Sequence, residues 1–98
     1  MALKAGRRFR GARFSLYGRP NAAGLARIAL VVPKKLAPRA VDRNRIRRIA
    51  REVFRLHQEQ LIGVDVVVRL VQPCGAEPVT GGELVPLLHR CADAFPGR

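Results

Sequence analysis

Arginine side chains, closely spaced along one short segment, are the residues of this sequence best suited to chemistry. From residue 42 to residue 55 the chain carries six arginines and Asn44, and the only acids there are Asp42 and Glu52. A guanidinium group can hold phosphate through two parallel hydrogen bonds and can stack on a base. An asparagine can donate to, or accept from, a sugar or a base edge. These residue types favour contact with a nucleic acid.

A helical period arranges these arginines on one face. The apolar residues of the segment recur at i, i+3, i+4, i+7 and i+8, which predicts an amphipathic helix; they are Ile46, Ile49, Ala50, Val53 and Phe54. The polar side of the helix carries Asn44, Arg48, Arg51 and Arg55, flanked by Arg45 and Arg47, with Arg43 near the edge of the apolar stripe. Like charges at these spacings repel one another. Bound phosphates would relieve that repulsion, and a solvated face with no partner is the alternative.

The charge of the whole chain is equally uneven. The net charge is +12, and residues 1–55 hold 16 basic and two acidic side chains, whereas residues 56–98 hold three basic and five acidic ones. Such a cationic half favours an anionic partner, which could be nucleic acid, an anionic membrane or an acidic protein. The longest apolar run, residues 28–33, is too short to span a membrane, and no secretory signal is visible. We therefore expect a cytoplasmic protein.

No arrangement of residues typical of a protein catalyst is visible. Cys74 and Cys91 have no metal-site spacing, and the seven carboxylates are not spaced like those of a metal-dependent nuclease. His57 and His89 are expected at the surface rather than in chemistry. Any contribution to catalysis should come from positioning and charge neutralisation.

The elements around the helix predict one α+β domain. Residues 1–11 form a basic arm, whose cations Lys4, Arg7, Arg8 and Arg10 could either grip phosphate or be solvated. Alternation of apolar and polar side chains predicts a strand over 13–17 and a second strand over 27–35. Proline, asparagine and glycine predict a loop over 18–24 between them. We expect these two strands to form an antiparallel pair.

Side-chain parity divides these strands into two faces. Ile28, Leu30 and Val32 share the core side, and the opposite side carries Arg27, Ala29, Val31, Pro33 and Lys35, while Lys34 points away from it. Phe14 is expected in the core. Tyr17 lies on the wet face of its strand, where it could stack on a base or simply cover the sheet.

The remainder of the chain predicts one more strand and one more helix. Residues 64–71 are rich in valine and predict a strand buried on both faces, or nearly so. A Pro/Gly loop follows over 72–82. A second apolar stripe then recurs at helical spacing, formed by Leu84, Leu87, Leu88, Cys91 and Phe95. Thr80 and Glu83 resemble a capping box, but Pro86 indicates that the helix begins a few residues later.

The segment from Asp42 to Arg55 resembles the Arg-Asn-Arg signature helix of the bacterial ribonuclease P protein family. The preceding stretch, Arg27 to Lys35, is similar to that family's strand ending in Lys-Lys. The order of these elements and the later strand beginning at Asp65 also agree, and the similarity runs from about Gly6 to Phe95.

The resemblance implies a fold and a function. The fold would be a two-layer sandwich, in which a small sheet packs against helices with a left-handed βαβ crossover. The chain would be a subunit of a ribonucleoprotein endoribonuclease, whose catalytic RNA holds the active site and its magnesium ions and removes the 5′ leader of precursor tRNA. The protein alone would not be catalytic, would bind no metal of its own, and would need no obligate protein partner.

The resemblance also assigns site residues. The RNA subunit would contact Lys34, Lys35, Arg43, Asn44, Arg45, Arg47, Arg48, Arg51 and Arg55. The leader would contact Tyr17, Ala29, Val31 and Lys35. Relative to the family the N-terminal arm is expected to be truncated, and Pro33 and residues 70–72 depart from the family pattern near the leader cleft.

Three other classes of protein fit the composition. One is a structural RNA-binding protein such as a small ribosomal protein, and another is a DNA-compacting protein without sequence preference. A self-sufficient nuclease is the third, and the missing carboxylate arrangement argues against it.

Overall fold

A computed structural model describes residues 6–75 and 77–95. Lys4, the first cation predicted for the basic arm, lies outside these residues. In chain order the regular elements are the strands and helices β1 (Arg7–Arg10), β2 (Phe14–Pro20), β3 (Arg27–Val31), α1 (Ala40–His57), β4 (Val64–Leu70) and α2 (Val85–Ala94). Short 3-10 turns occupy Gln58–Leu61 and Gly81–Glu83. None of the described helices is long and apolar enough to cross a membrane.

The four strands form one sheet in the order β1-β2-β4-β3. β1 pairs with β2, and β2 with β4, in antiparallel fashion, whereas β3 and β4 are parallel. Parallel neighbours need a long crossover, and α1 supplies it between β3 and β4. The sheet and the two helices confirm the predicted α+β class, while the handedness of the crossover stays a prediction.

The predicted antiparallel pair of β2 and β3 is wrong, because β4 lies between them. Several strand boundaries predicted from the sequence also differ from those observed. β2 continues to Pro20 through part of the expected loop, and β3 stops at Val31 rather than at residue 35. The carbonyl of Pro33 accepts hydrogen bonds from the amides of Leu36 and Ala37, which folds residues 33–37 into a turn. Arg7–Arg10, expected in an arm, form the edge strand β1 instead.

β4 has one buried face and one open face, so the prediction of burial on both faces is wrong. Val64, Val66, Val68 and Leu70 are buried, but the alternating residues Asp65, Val67 and Arg69 are not. The three consecutive valines hid this alternation, because an apolar Val67 stands on the open face. No described helix covers that face.

Both helices pack on the other face of the sheet and close the core there. α1 buries Ile46, Ala50, Val53 and Phe54, and α2 buries Leu87, Leu88 and Cys91. Phe14 is 1% exposed, which confirms its predicted place in the core. Gly18 allows α2 to approach β2 closely, because a Cβ at that position would lie 2.6 Å from the sulfur of Cys91. This packing turns the arginine side of α1 away from the sheet.

α2 begins at Val85 with Pro86 in its first turn, where a missing amide hydrogen is tolerated. The predicted capping box lies one turn earlier. The amide of Thr80 donates to the Glu83 carboxylate at 3.4 Å, around the Gly81–Glu83 turn. The later start of the helix, predicted from Pro86, is therefore confirmed.

Candidate nucleic-acid interface

The outer side of α1 presents a shallow cationic groove, which we call the helix groove. It is about 430 Å³ in volume and is lined by Asn44, Arg47, Arg48, Arg51, Glu52 and Arg55. Asn44, Arg48 and Arg51 are exposed. None of the ion pairs among the described residues involves Arg47, Arg48 or Arg51. Arg48 and Arg51 are thus both exposed and outside these ion pairs, whereas Arg47 is partly buried.

Arg55 is partly neutralised within the same groove. Its Nη2 donates to the Glu52 carboxylate at 2.6 Å, and its Nε donates to the same carboxylate at 3.3 Å. The hydrogen bonds and the charge of Arg55 hold the pKa of Glu52 below its ordinary value. Glu52 therefore stays ionised at neutral pH and places a negative charge in the helix groove.

Replacing Glu52 with Gln is expected to strengthen RNA binding. The change removes the negative charge and releases Arg55, so one more phosphate can be neutralised. We expect the slope of log affinity against log salt concentration to steepen by roughly 0.7–0.9, which is the release of about one counterion. Titration of a structured RNA at several salt concentrations measures it. Weaker binding would show that Glu52 orients Arg55 toward the RNA instead of competing with it.

Arg43 is partly buried and Arg45 is exposed, and both make hydrogen bonds to backbone carbonyls of the protein. Nη1 of Arg43 donates to the carbonyls of Ala37 and Pro38 at 3.0 and 2.8 Å, and so holds the segment that leads into α1. Nη2 of Arg45 makes a longer contact of 3.4 Å to the carbonyl of Val79. Both predicted RNA ligands have contacts within the protein, and Arg43 has the firmer ones.

Lys34 and Lys35 are exposed and lie in the turn between β3 and α1. Strand parity therefore does not apply to either side chain. Lys35 follows the end of β3 instead of extending the face that carries Ala29 and Val31. Both lysines remain predictions as RNA ligands.

The open face of the sheet brings three of the predicted leader residues together. Tyr17 on β2 pairs with Val67 on β4, and Val67 pairs with Ala29 on β3. In the next row Val31 pairs with Arg69. Val67 of β4 lies between the aromatic ring on β2 and the small side chains on β3, which leave room on this face as the sequence suggested.

Sequence reasoning did not place several other residues on this face: Arg8 and Arg10 were expected in a basic arm that could grip phosphate, and Ser15, Val67 and Arg69 were not assigned to the site. A groove of about 590 Å³, here named the sheet groove, is lined in part by Arg8, Arg10, Ser15, Val67 and Arg69. Cross-strand pairing places Ser15 between Arg10 and Arg69. The sequence did carry a pattern that indicates this face. Arg8 and Arg10 alternate with the apolar Phe9, and Arg69 lies an even number of residues from Asp65, so it falls on the same face of the strand. This pattern was missed because β1 was not predicted and β4 was expected to be covered on both sides.

Two further features shape the sheet groove. Tyr17 is half-buried, and Gly6 lies against its phenol, since a Cβ on Gly6 would stand 1.8 Å from the Tyr17 hydroxyl. Val71 and Gln72 line one end of the same groove.

The far end of the open face carries a neutralised cluster. Nε of Arg27 donates to the Asp65 carboxylate at 2.7 Å, and Nδ2 of Asn21 donates to it at 2.8 Å. The hydrogen bonds from Arg27 hold the pKa of Asp65 below its usual range. The unpaired positive charge of the face therefore lies toward Arg8, Arg10 and Arg69.

No group of three or more histidine, cysteine or acidic side chains close enough to hold a metal occurs among residues 6–75 and 77–95. His57 and His89 meet edge to face, with ring centroids 5.1 Å apart, where α1 and α2 approach each other. The ring of His57 also bonds the carbonyl of Val53 at 2.8 Å. These contacts give both histidines a packing role.

The fold and site are those of a small α+β domain with one cationic groove on a helix and another on the bare face of its sheet, a class of protein suited to anionic ligands. The chain belongs to the ribonuclease P protein family, whose sequence model matches residues 1–81. It is 54% identical over 82 residues to the ribonuclease P protein component of Paraburkholderia xenovorans, covering 84% of this chain and 58% of that relative. Among the first relatives matched, the chain spans between 46% and 60% of their length.

Solved structures agree with this assignment. The fold is similar to that of the ribonuclease P protein of Thermotoga maritima, with a TM-score of 0.75, 28% identity, and coverage of 91% of this chain and 86% of that one. It is also similar to the protein from Staphylococcus aureus, with a TM-score of 0.70, 29% identity, and coverage of 95% and 84%.

Proposed function

We propose that this chain is the protein subunit of ribonuclease P. It binds the catalytic RNA and the 5′ leader of precursor tRNA in the cytoplasm, and so promotes endonucleolytic removal of the leader. The observation that supports this most directly is the presence of two cationic grooves on opposite layers of one domain. A protein that joins a catalytic RNA to a separate substrate strand needs two such surfaces.

The helix groove is proposed to dock the RNA subunit. Arg47, Arg48 and Arg51 neutralise phosphates, and Asn44 contacts a phosphate, a sugar or a base edge. Contacts of this kind fix orientation and register without reading sequence. Lys34 and Lys35 extend the same basic surface toward the end of β3.

The sheet groove is proposed to hold the single-stranded leader. Tyr17 supplies a ring on which a base can stack. Ala29 and Val31 lie farther along the same open face, on β3 beyond β4, where their small side chains leave space. Arg10 and Arg69 flank Ser15 in one cross-strand row, which suits a phosphate between two guanidinium groups.

Catalysis is proposed to belong to the RNA, which would hold the magnesium ions. The protein then contributes by fixing the leader relative to the RNA and by neutralising phosphate charge. Both effects lower the concentration of magnesium that the reaction needs, because the protein's cations replace counterions.

Reconstitution tests the proposed function. The protein is mixed with a bacterial ribonuclease P RNA and a precursor tRNA at low magnesium, and release of the 5′ leader is followed against RNA alone and protein alone. We expect cleavage that needs both components. Tight binding of the RNA without stimulation would contradict a role in leader removal and point to a structural RNA-binding protein. Cleavage by the protein alone would contradict the assignment of catalysis to the RNA.

A further inference from the structure

Arg13 is the most extensively hydrogen-bonded side chain in the described structure, and it lies outside both grooves. Its Nε donates to the Glu83 carboxylate at 3.0 Å, and one Nη2 bond reaches the other oxygen of the same group. Nη1 donates to the carbonyls of Cys74 and Glu77, each at 2.8 Å, and Nη2 also donates to that of Pro78 at 3.2 Å. All five guanidinium donors are thereby used.

These bonds fix the loop between β4 and α2. The side chains of Arg13 and Glu83 are 18% and 23% exposed, so the ion pair is only partly screened by water. Hydrogen bonds from Arg13 hold the pKa of Glu83 below its ordinary value, which keeps the pair charged at neutral pH. A guanidinium group with every donor occupied has none left for an RNA phosphate. The role of Arg13 therefore lies in the protein's own architecture.

The loop that Arg13 fixes begins in the wall of the sheet groove. The amide of Val71 donates to the carbonyl of Arg13 at 2.8 Å, and the amide of Gly11 donates to the carbonyl of Phe14 at 2.8 Å. Gly11 and Ala12 on one side of Arg13, and Val71 and Gln72 across from it, line the end of the groove that also holds Arg10 and Arg69. The backbone of Arg13 thus joins two walls of the groove.

The other end of the loop is anchored under α1. Val79 is 4% exposed, and a Cβ on Gly81 would lie 2.8 Å from Cγ2 of Val53. Between the two anchors, residues 72–78 have no regular secondary structure where they are described. The guanidinium of Arg13 holds this middle portion through three carbonyls, together with a hydrogen bond of 3.1 Å from the Cys74 amide to the carbonyl of Leu36.

We infer that Arg13 is a positioning residue for the sheet groove: by fixing the 72–83 loop it sets the end of the groove where Arg10 and Arg69 meet the leader. The inference rests on the proposed function of that groove. Arg13 touches neither the leader nor the RNA subunit. It acts by preorganisation, which reduces the ordering cost of binding.

Three variants separate this role from simple charge. Arg13→Met removes the charge and the bonds, and Arg13→Lys keeps the charge but cannot reproduce a planar five-donor fork. Glu83→Gln replaces one of the two acceptor oxygens with an amide donor, so the bidentate pair is lost while the protein becomes more positive. If charge alone mattered, Lys would restore binding and Gln would strengthen it. Positioning predicts weaker leader binding in all three variants.

The experiment uses holoenzyme reconstituted with a bacterial ribonuclease P RNA. Dissociation constants are measured for a precursor tRNA with a leader of several nucleotides and for the mature tRNA, and their ratio gives the gain due to the leader. We expect this ratio to fall by on the order of two- to tenfold in each variant, because affinity for the precursor tRNA falls while affinity for the mature tRNA is unchanged. An equal loss on both RNAs would be the effect of a smaller folded fraction and would overturn the inference. Full recovery in Arg13→Lys would also overturn it.

Wild-type protein separates this inference from the proposed function. If wild-type holoenzyme binds the two RNAs equally, the proposed leader site fails and the positioning role fails with it. If wild type shows the leader-dependent gain and all three variants keep it in full, only the role of Arg13 is overturned.

Discussion

Replacing Arg48 and Arg51 together with Ala is expected to cause the largest loss of affinity for the RNA subunit. Both side chains line the helix groove and neither belongs to an ion pair among the described residues. A hydrogen bond to a charged group contributes on the order of 1.5–3 kcal/mol, so two lost contacts should weaken binding by roughly 100-fold or more. The slope of log affinity against log salt concentration should fall by roughly one per lost phosphate contact.

Arg43→Ala is the matched control for this double variant. It removes one positive charge from the same helix, where the double variant removes two, and its guanidinium bonds the carbonyls of Ala37 and Pro38. We expect a lower melting temperature with a smaller change in salt slope. A double variant with an unchanged slope would remove the helix groove from the interface.

Replacing Tyr17 with Ala is expected to produce the largest loss specific to the leader. Stacking of a base on an aromatic side chain contributes about 1–3 kcal/mol, so affinity for a precursor tRNA should fall by roughly five- to 150-fold while affinity for mature tRNA is kept. Competition binding of the two RNAs to the reconstituted holoenzyme measures the difference.

Tyr17→Phe separates the ring from the hydroxyl. The phenol oxygen lies against Gly6, so its removal disturbs that contact and leaves the ring in place. We expect Phe to retain most of the leader-dependent affinity. Equal losses of precursor and mature tRNA in Tyr17→Ala would contradict the assignment of Tyr17 to the leader.

The α1 helix could be predicted because its signal is local. Apolar residues at helical spacing define the buried side, and the arginines necessarily take the other side. The same logic placed Tyr17, Ala29 and Val31 on the open sheet face, since strand parity is a property of neighbouring residues. These parts of the candidate site needed no knowledge of the topology.

Strand order could not be predicted in this way, because it depends on residues far apart in the chain. β4 lies between β2 and β3, so Arg69 faces Ser15 and Val31, which stand 54 and 38 positions earlier in the sequence. Without that order the row of Arg10, Ser15 and Arg69 could not be seen. The structural role of Arg13 was hidden for the same reason, because its partner Glu83 is 70 residues away.

The insertion of β4 between two earlier strands also bears on how the chain folds as it is synthesised. β1 and β2 can pair early. One edge of β2 and one edge of β3 stay unpaired until residues 64–70, which form β4, have been synthesised. Nonlocal and parallel pairings of this kind slow folding and lengthen the exposure of strand edges that invite aggregation. We expect like-charge repulsion among the arginines of β1 and α1 to keep nascent copies apart during that interval. The same positive charge that suits the finished domain to RNA thus protects the unfinished one.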